Sequence, residues 1–410
     1  MDAELLLAEQ TARRLEELAL VTDEPGVLTR TFLSPAMARA NALVGGWFAE
    51  AGGKVEEDGW GNLIGHWPGA TKDAATLLLG SHLDSVRNAG RFDGPMGVLV
   101  ALAALQLLAQ RGVKLPIAVD VLGFSDEEGT RFHSAYLGSK ALAGVITEAE
   151  LSLRDGEGIS VAEAVAAYQG VKTVMPPAAR YPGEGLLGYV EVHLEQGPVL
   201  EQKGLALGVV DHIAAQTRLI YEIGGKAGHA GTTPMNLRRD ALAGAAELVL
   251  AIERLGLAEK GLVATVGQFQ IGPGVSNVIP DKVKFSVDIR HPDVAVVEKT
   301  CAALKEQAVA VAQRRQLAEA SHVVQSTAGV ACSPDLTGRL ATAVARRQPE
   351  VPHLVSGAGH DGIVLSRLTP MAMLFVRCRD GLSHHPDELV AVADIAASIA
   401  ALADFLETFA

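Results

Sequence analysis

Apolar positions along this chain fall into short continuous runs and longer segments of helical period, and the two kinds alternate. Residues 77–79, Leu-Leu-Leu before Gly80, predict a buried strand, and residues 97–110 predict a helix. Residues 117–124 predict a second strand that runs into a polar Ser-Asp-Glu-Glu-Gly, and residues 189–194 predict a third. The opening MDAELLLAEQTARRLEELAL is acidic at its start and amphipathic, which reads as a helix and not as a secretory leader. Such alternation predicts an α/β domain with functional residues at strand ends.

The rhythm changes from about residue 214. A strand at 217–223 precedes a helix at 238–255 and strands at 262–271 and 282–289; a helix at 294–315 and a strand at 322–325 follow. That β-α-β-β-α-β order predicts a ferredoxin-like unit. It divides the chain into a catalytic domain in two parts, 1–213 and 330–410, with an inserted domain at 214–329. In the second part, residues 371–378 predict a strand leading into a polar loop.

A length of 410 residues is ample for two cores. Hydrophobic content of 49% with 4% aromatics describes a globular enzyme packed with Ala, Val and Leu. The net charge of −13 and the lack of a Lys/Arg run argue against a nucleic-acid partner. Three cysteines, Cys301, Cys332 and Cys378, form no CxxC and read as small hydrophobes in a reducing compartment. The most apolar stretch, residues 97–108, is too short to span a bilayer. A cytoplasmic protein with no membrane partner is expected.

Candidate chemistry lies in short, polar, Gly-flanked segments. GSHLDS holds His82 and Asp84 two residues apart, so at a strand end the carboxylate can orient the imidazole; the bland reading is a surface pair. RFDGPMG holds Asp93, which reads equally as an N-cap or turn residue. GFSDEEGTRF holds Glu127 and Glu128, adjacent carboxylates that repel unless compensated, or else a solvated acidic turn. EVHLEQGPVLE supplies His193 and Gln196, the histidine on a strand where it could be an ordinary half-buried residue. RDGLSHHPDE supplies His384 and His385. GAGHDG, residues 357–362, is a Gly-rich loop able to bring backbone amides to a ligand, but it lacks the Lys-Ser/Thr of a phosphate loop. No GxSxG elbow supports serine chemistry. Three imidazoles and two carboxylates, His82, Asp93, Glu128, His193 and His384, suit a pair of divalent cations bridged by one carboxylate, and so point to metal-assisted hydrolysis.

The ordered series DGWGNLIG, GSHLDSVRNAGRFDGPMGV, DEEGTRF, EVHLEQGPVLE, GKAGHAGTTPMNLRRDA, VSNVIP, DIRHP, SGAGHDG and FVRCRDGLSHHPDE resembles the allantoate amidohydrolase and N-carbamoyl-L-amino-acid hydrolase (hydantoinase/carbamoylase) family. That family belongs to the aminoacylase-like dinuclear metallopeptidases of the M20 type, and the likeness covers nearly the whole chain. It implies a discontinuous catalytic domain, a mixed sheet flanked by helices, with the inserted unit as lid and dimerisation domain. It implies two divalent ions per subunit, zinc or manganese, with cobalt and nickel as further options. His82 and His193 would hold one ion, Glu128 and His384 the other, and Asp93 would bridge them. Glu127 would be the general base and Asp84 the partner of His82. Arg290 would clamp a substrate carboxylate, Asn277, Gln196 and Gly359 would contact substrate, and His229 would stabilise the oxyanion, reaching into a partner subunit of a homodimer.

The activity so implied is hydrolysis of a ureido C–N bond in a carboxylate-bearing small molecule, with release of ammonia and CO2. Allantoate is the first choice and N-carbamoyl-L-amino acids the second. A deacylase or dipeptidase of N-acyl amino acids on the same scaffold, and an inactive binding protein, are the alternative expectations.

Overall fold

The computed structural model describes residues 3–181 and 184–410. One unit comprises the residues up to Asp211 together with Cys332–Ala410, and a second comprises His212–Ala331. In chain order the strands are β1 Lys54–Glu57, β2 Leu63–Trp67, β3 Thr76–His82, β4 Ala118–Phe124, β5 Leu186–Leu194, β6 Leu207–Ile213 and β7 Ala215–Gly224. They continue as β8 Val263–Thr265, β9 Phe269–Gly272, β10 Lys282–His291, β11 Ala318–Thr327, β12 Val330–Ala331, β13 His353–Ser356 and β14 Met371–Val376.

The larger sheet runs β1-β2-β4-β3-β5-β14-β6-β12, with β13 also on β6. Its centre is parallel: β4 with β3, β3 with β5, β5 with β14. The outer pairings β1–β2, β2–β4 and β14–β6 are antiparallel. The central strands are buried at nearly every position, on both faces. That is why they read as unbroken apolar runs. Helices Ala3–Ala19, Pro35–Glu50, Pro95–Gln110, Pro334–Ala345 and Val392–Leu406 share one core with them. Arg30, fully buried, ties two elements together: its guanidinium donates to the Leu18 carbonyl in the last turn of the first helix, to the Val21 carbonyl just beyond it and to the Leu83 carbonyl after β3.

The consequence of parallelism is positional. The carboxyl ends of β3, β4, β5 and β14 all lie at one edge of the sheet, and the polar segments GSHLDS, SDEEG, HLEQG and RDGLSHH leave from there. Ligand sites in open α/β sheets form at this edge.

The second unit has the sheet order β11-β7-β10-β8, with β9 also on β10 and every pairing antiparallel. Burial alternates along β7 and β10, and the covered face packs on helices Ala241–Ala258 and Val294–Arg315. The strand expected over 262–271 is two strands, β8 and β9. Between them the Gln268 N–H donates to the Ser286 side chain, at 3.0 Å, rather than to a ladder carbonyl. The expected helix at 238–255 begins later, where Asp240 caps it through the Ala243 N–H. The last strand is longer than 322–325 and carries a register shift between Val323 and Gln325.

No helix among the described residues is long and apolar enough to cross a membrane. The three cysteines are free thiols, Cys332 and Cys378 buried and Cys301 half-buried.

Candidate metal centre

His82 is the last residue of β3 and His193 the penultimate residue of β5, and both are buried. Each turns Nδ1 to a backbone carbonyl, of Asp84 and of Leu194, at 3.1 Å in both cases. With Nδ1 donating there, each Nε2 presents a lone pair. Asp93 lies between these rings and the other two candidates. Its Oδ1 is 3.1 Å from His193 Nε2 and 3.9 Å from His82 Nε2, while its Oδ2 is 3.1 Å from His384 Nε2. His384 Nε2 is in turn 3.3 Å from Glu128 Oε1. The five residues thus form two triads, His82–Asp93–His193 and Asp93–Glu128–His384, which share one carboxylate.

Asp93 is not the helix cap that its position also suggested. The residue before helix Pro95–Gln110 is Gly94, at φ 81°, and no side chain caps the helix. A Cβ on Gly94 would lie 2.5 Å from the His82 ring, so glycine satisfies both the turn and the close approach.

The donors fit cations. Asp93 Oδ1 and His193 Nε2 are buried and neither has a hydrogen-bond partner. A carboxylate oxygen and an imidazole lone pair at such a distance repel unless a proton or a metal ion lies between them. The electrostatics agree. Burial pushes the Asp93 carboxyl up, yet the facing His193, His384 and His82 imidazoles hold it well below its usual range. Burial pushes His82 down, but Asp84, Glu127 and Glu128 outweigh it and raise the imidazole well above its ordinary value. The hydrogen bond to Asp93 raises His384 to about 9. Burial, then the Asp93 charge, pushes Glu128 up to about 7.

Glu127 is buried and its carboxyl is pushed well up, by burial first and then by Glu128 and Asp361 against the opposing effect of His82. A carboxyl so shifted beside a ligand cluster suits proton transfer. Asp84 does more than face His82, at 3.4 Å from Nδ1. Its two oxygens accept the Glu127 and Glu128 N–H groups, at 3.0 and 3.2 Å, and so fix both acidic residues after β4.

Gln196 stands at φ 55°, and its amide donates to Asp93 Oδ2 at 3.0 Å and to Ser383 Oγ at 3.2 Å. Gly359 packs against the Tyr136 hydroxyl so closely that a Cβ would collide with the oxygen. His229, Asn277 and Arg290 belong to the second unit. There the GHAG and VSNVIP loops pair: His229 bridges to Val278, and the Ala230 N–H donates to the Asn277 carbonyl at 2.8 Å. Arg290 forks onto Asp288 of its own strand, at 2.7 and 2.9 Å.

Sequence reasoning passed over His360. It is buried, its ring stacks edge-on to His193 at 4.4 Å, Nε2 meets Ser356 Oγ at 2.7 Å and Nδ1 has no partner. With Glu191 and His193 it forms a further group of potential ligands. His193 is common to that group and to the triad with His82 and Asp93. The available signal was a histidine in a Gly-rich loop after a strand.

Two candidate ligand triads that share one carboxylate, at the strand ends of a mixed sheet, suit metal-assisted hydrolysis. Residues 78–408 match the profile of Peptidase family M20/M25/M40, and the chain belongs to that family of hydrolases. Among its relatives, allantoate deiminase 2 of Glycine max is 39% identical, covering 98% of this chain and 89% of the relative. N-carbamoyl-L-amino acid amidohydrolase of Geobacillus stearothermophilus is 41% identical, covering 94% of each. The crystal structure of an amidase of the hydantoinase/carbamoylase family from Burkholderia multivorans is 35% identical, with a TM-score of 0.91 over 98% of each chain.

Proposed function

We propose that this hydrolase is a dinuclear-metal amidohydrolase of ureido acids, allantoate first and N-carbamoyl-L-amino acids next. The observation that carries the metal reading is the unpartnered pair Asp93 Oδ1 and His193 Nε2 inside a five-residue ligand cluster. Two full-length relatives, an allantoate deiminase and an N-carbamoyl-L-amino acid amidohydrolase, support the substrate class.

His82 and His193 would hold one ion, Glu128 and His384 the other, and Asp93 both. Zinc and manganese are the first choices, with cobalt and nickel also compatible with mixed His/carboxylate donors. Bound divalent ions supply Lewis acidity and lower the pKa of water. The protein's own part falls to Glu127, which takes a proton from the attacking water and returns it to the leaving nitrogen. R–NH–CO–NH2 and water thereby give ammonia and a carbamate, which loses CO2. Asp84 keeps Glu127 in place and His82 oriented. On the family resemblance, Arg290, Asn277, Gln196 and Gly359 serve substrate binding and His229 the oxyanion. Residues 214–329, in a ferredoxin-like arrangement, serve as lid and dimerisation domain. The free thiols fit a cytoplasmic setting.

The test is a substrate panel with protein reconstituted in manganese or zinc: allantoate, N-carbamoyl-L-amino acids, N-carbamoyl-β-alanine and an N-acetyl amino acid. Ammonia from a ureido compound is the expected result, and the fastest substrate identifies the enzyme. Free amine from the N-acetyl compound with no ammonia from the others would make the chain a deacylase. A monomer in sedimentation would remove the homodimer.

A further inference from the structure

Glu388 lies four residues beyond His384, is 1% exposed, and has no part in the chemistry above. Its carboxylate is nonetheless fully committed. Oε1 accepts the N–H groups of Phe92 and Asp93, at 2.8 and 2.9 Å, and Oε2 accepts from Ser383 Oγ at 2.9 Å. Ser383 Oγ is also 2.7 Å from Asp93 Oδ2, and Gln196 reaches both atoms. Gly90 completes the fit, since a Cβ there would collide with the Glu388 side chain.

Two loops almost three hundred residues apart in sequence thus meet on one carboxylate. One carries Asp93, common to both triads; the other carries His384 in a left-handed conformation, φ 56°. A non-glycine residue there is held by its surroundings rather than by its own preference. The second loop is closed on itself by the Arg379 N–H to the Leu389 carbonyl and by the Glu388 N–H to the His385 carbonyl. Glu388 is its buried link to the Asp93 backbone.

We infer that Glu388 is the positioning residue that locks the Asp93 loop to the His384 loop, and through them sets the affinity for the second divalent ion. This rests on the dinuclear reading above. The ion expected to depend on it is the one held by Glu128 and His384, because both come from loops, whereas His82 and His193 belong to strands β3 and β5.

The experiment is calorimetric titration of metal-stripped whole protein with Zn2+, at a temperature where melting curves show each variant folded. Wild type should take up two equivalents. Glu388→Ala should bind one equivalent about 10- to 100-fold more weakly and the other, which shares only Asp93 with the affected loops, with a smaller loss. Glu388→Gln should restore the affinity, because its amide oxygen can still accept both N–H groups while its NH2 donates to Ser383. A purely structural role would lower the melting temperature of the stripped protein and leave both affinities of the folded protein unchanged, which would overturn the proposal. If Glu388→Ala does not fold, Ser383→Ala decides: weakening of the same equivalent supports the link, and unchanged binding overturns it. Wild type that binds no metal would sink the dinuclear reading itself, and Glu388 with it, an outcome distinct from the failure of Glu388 alone.

Discussion

Among individual residues, the adjacent pair Glu127 and Glu128 shows how position divides roles. Asp84 accepts both backbone N–H groups, yet only Glu128 shares a ligand triad with Asp93 and His384. Glu127→Gln should therefore keep both metal ions and lose turnover by about 10²- to 10⁴-fold. Metal analysis beside a rate assay checks this, and loss of an ion would mean that the two roles are exchanged. The titrating residues also make the stripped protein sensitive to pH. Glu128 and Glu388 stand at about 7 against an ordinary 4.5, so their stabilisation is full below 4.5 and is lost as pH rises through 7. His384 stands at about 9 against 6.5, and its contribution is full below 6.5 and lost as pH rises through 9. Asp93 is shifted the other way, and its contribution is lost only on acidification below its ordinary 3.8. Metal-free protein should thus lose stability steadily from 4.5 towards 9, and bound metal, which displaces those protons, should flatten the trend. Thermal melts across that window test it. A stripped protein that is more stable at the alkaline end would contradict the assignment.

At the scale of elements, the site exists because four parallel strands end together. The turn between β3 and helix Pro95–Gln110 leaves no room for a side chain at Gly94. Gly94→Ala would place a methyl against the His82 ring and force alanine to φ 81°, so a loss of about 1–3 kcal/mol and weaker metal binding are expected. Urea unfolding and metal titration measure the two effects, and an alanine variant equal to wild type in both would show that the turn is not restrictive. This is also the scale at which the sequence was most legible. Runs buried on both faces identified β3, β4, β5 and β14, and the polar segments that leave them carried all five candidate ligands. Strands β1, β2, β6, β12 and β13 escaped because they are short or mixed in pattern. The break between β8 and β9 escaped because it depends on Ser286, a cross-strand partner no local pattern reveals. Glu388 was illegible for the same reason: the contacts that give it its meaning are made by residues remote in sequence.

For the whole molecule, two units have separate cores, the first holding every proposed ligand and the second holding His229, Asn277 and Arg290. Family membership agrees with that architecture, since the match extends over residues 78–408, across both units. The central claim joins a metal pair to a ureido C–N bond, so the most direct measurement reads both at once. Chelator-stripped protein is titrated with Mn2+ while ammonia release from allantoate and from an N-carbamoyl-L-amino acid is followed. No turnover is expected without metal, and ammonia release should rise with added Mn2+ and saturate at two equivalents per chain. Full turnover by stripped protein, or no ammonia from either substrate with both ions bound, would contradict the claim.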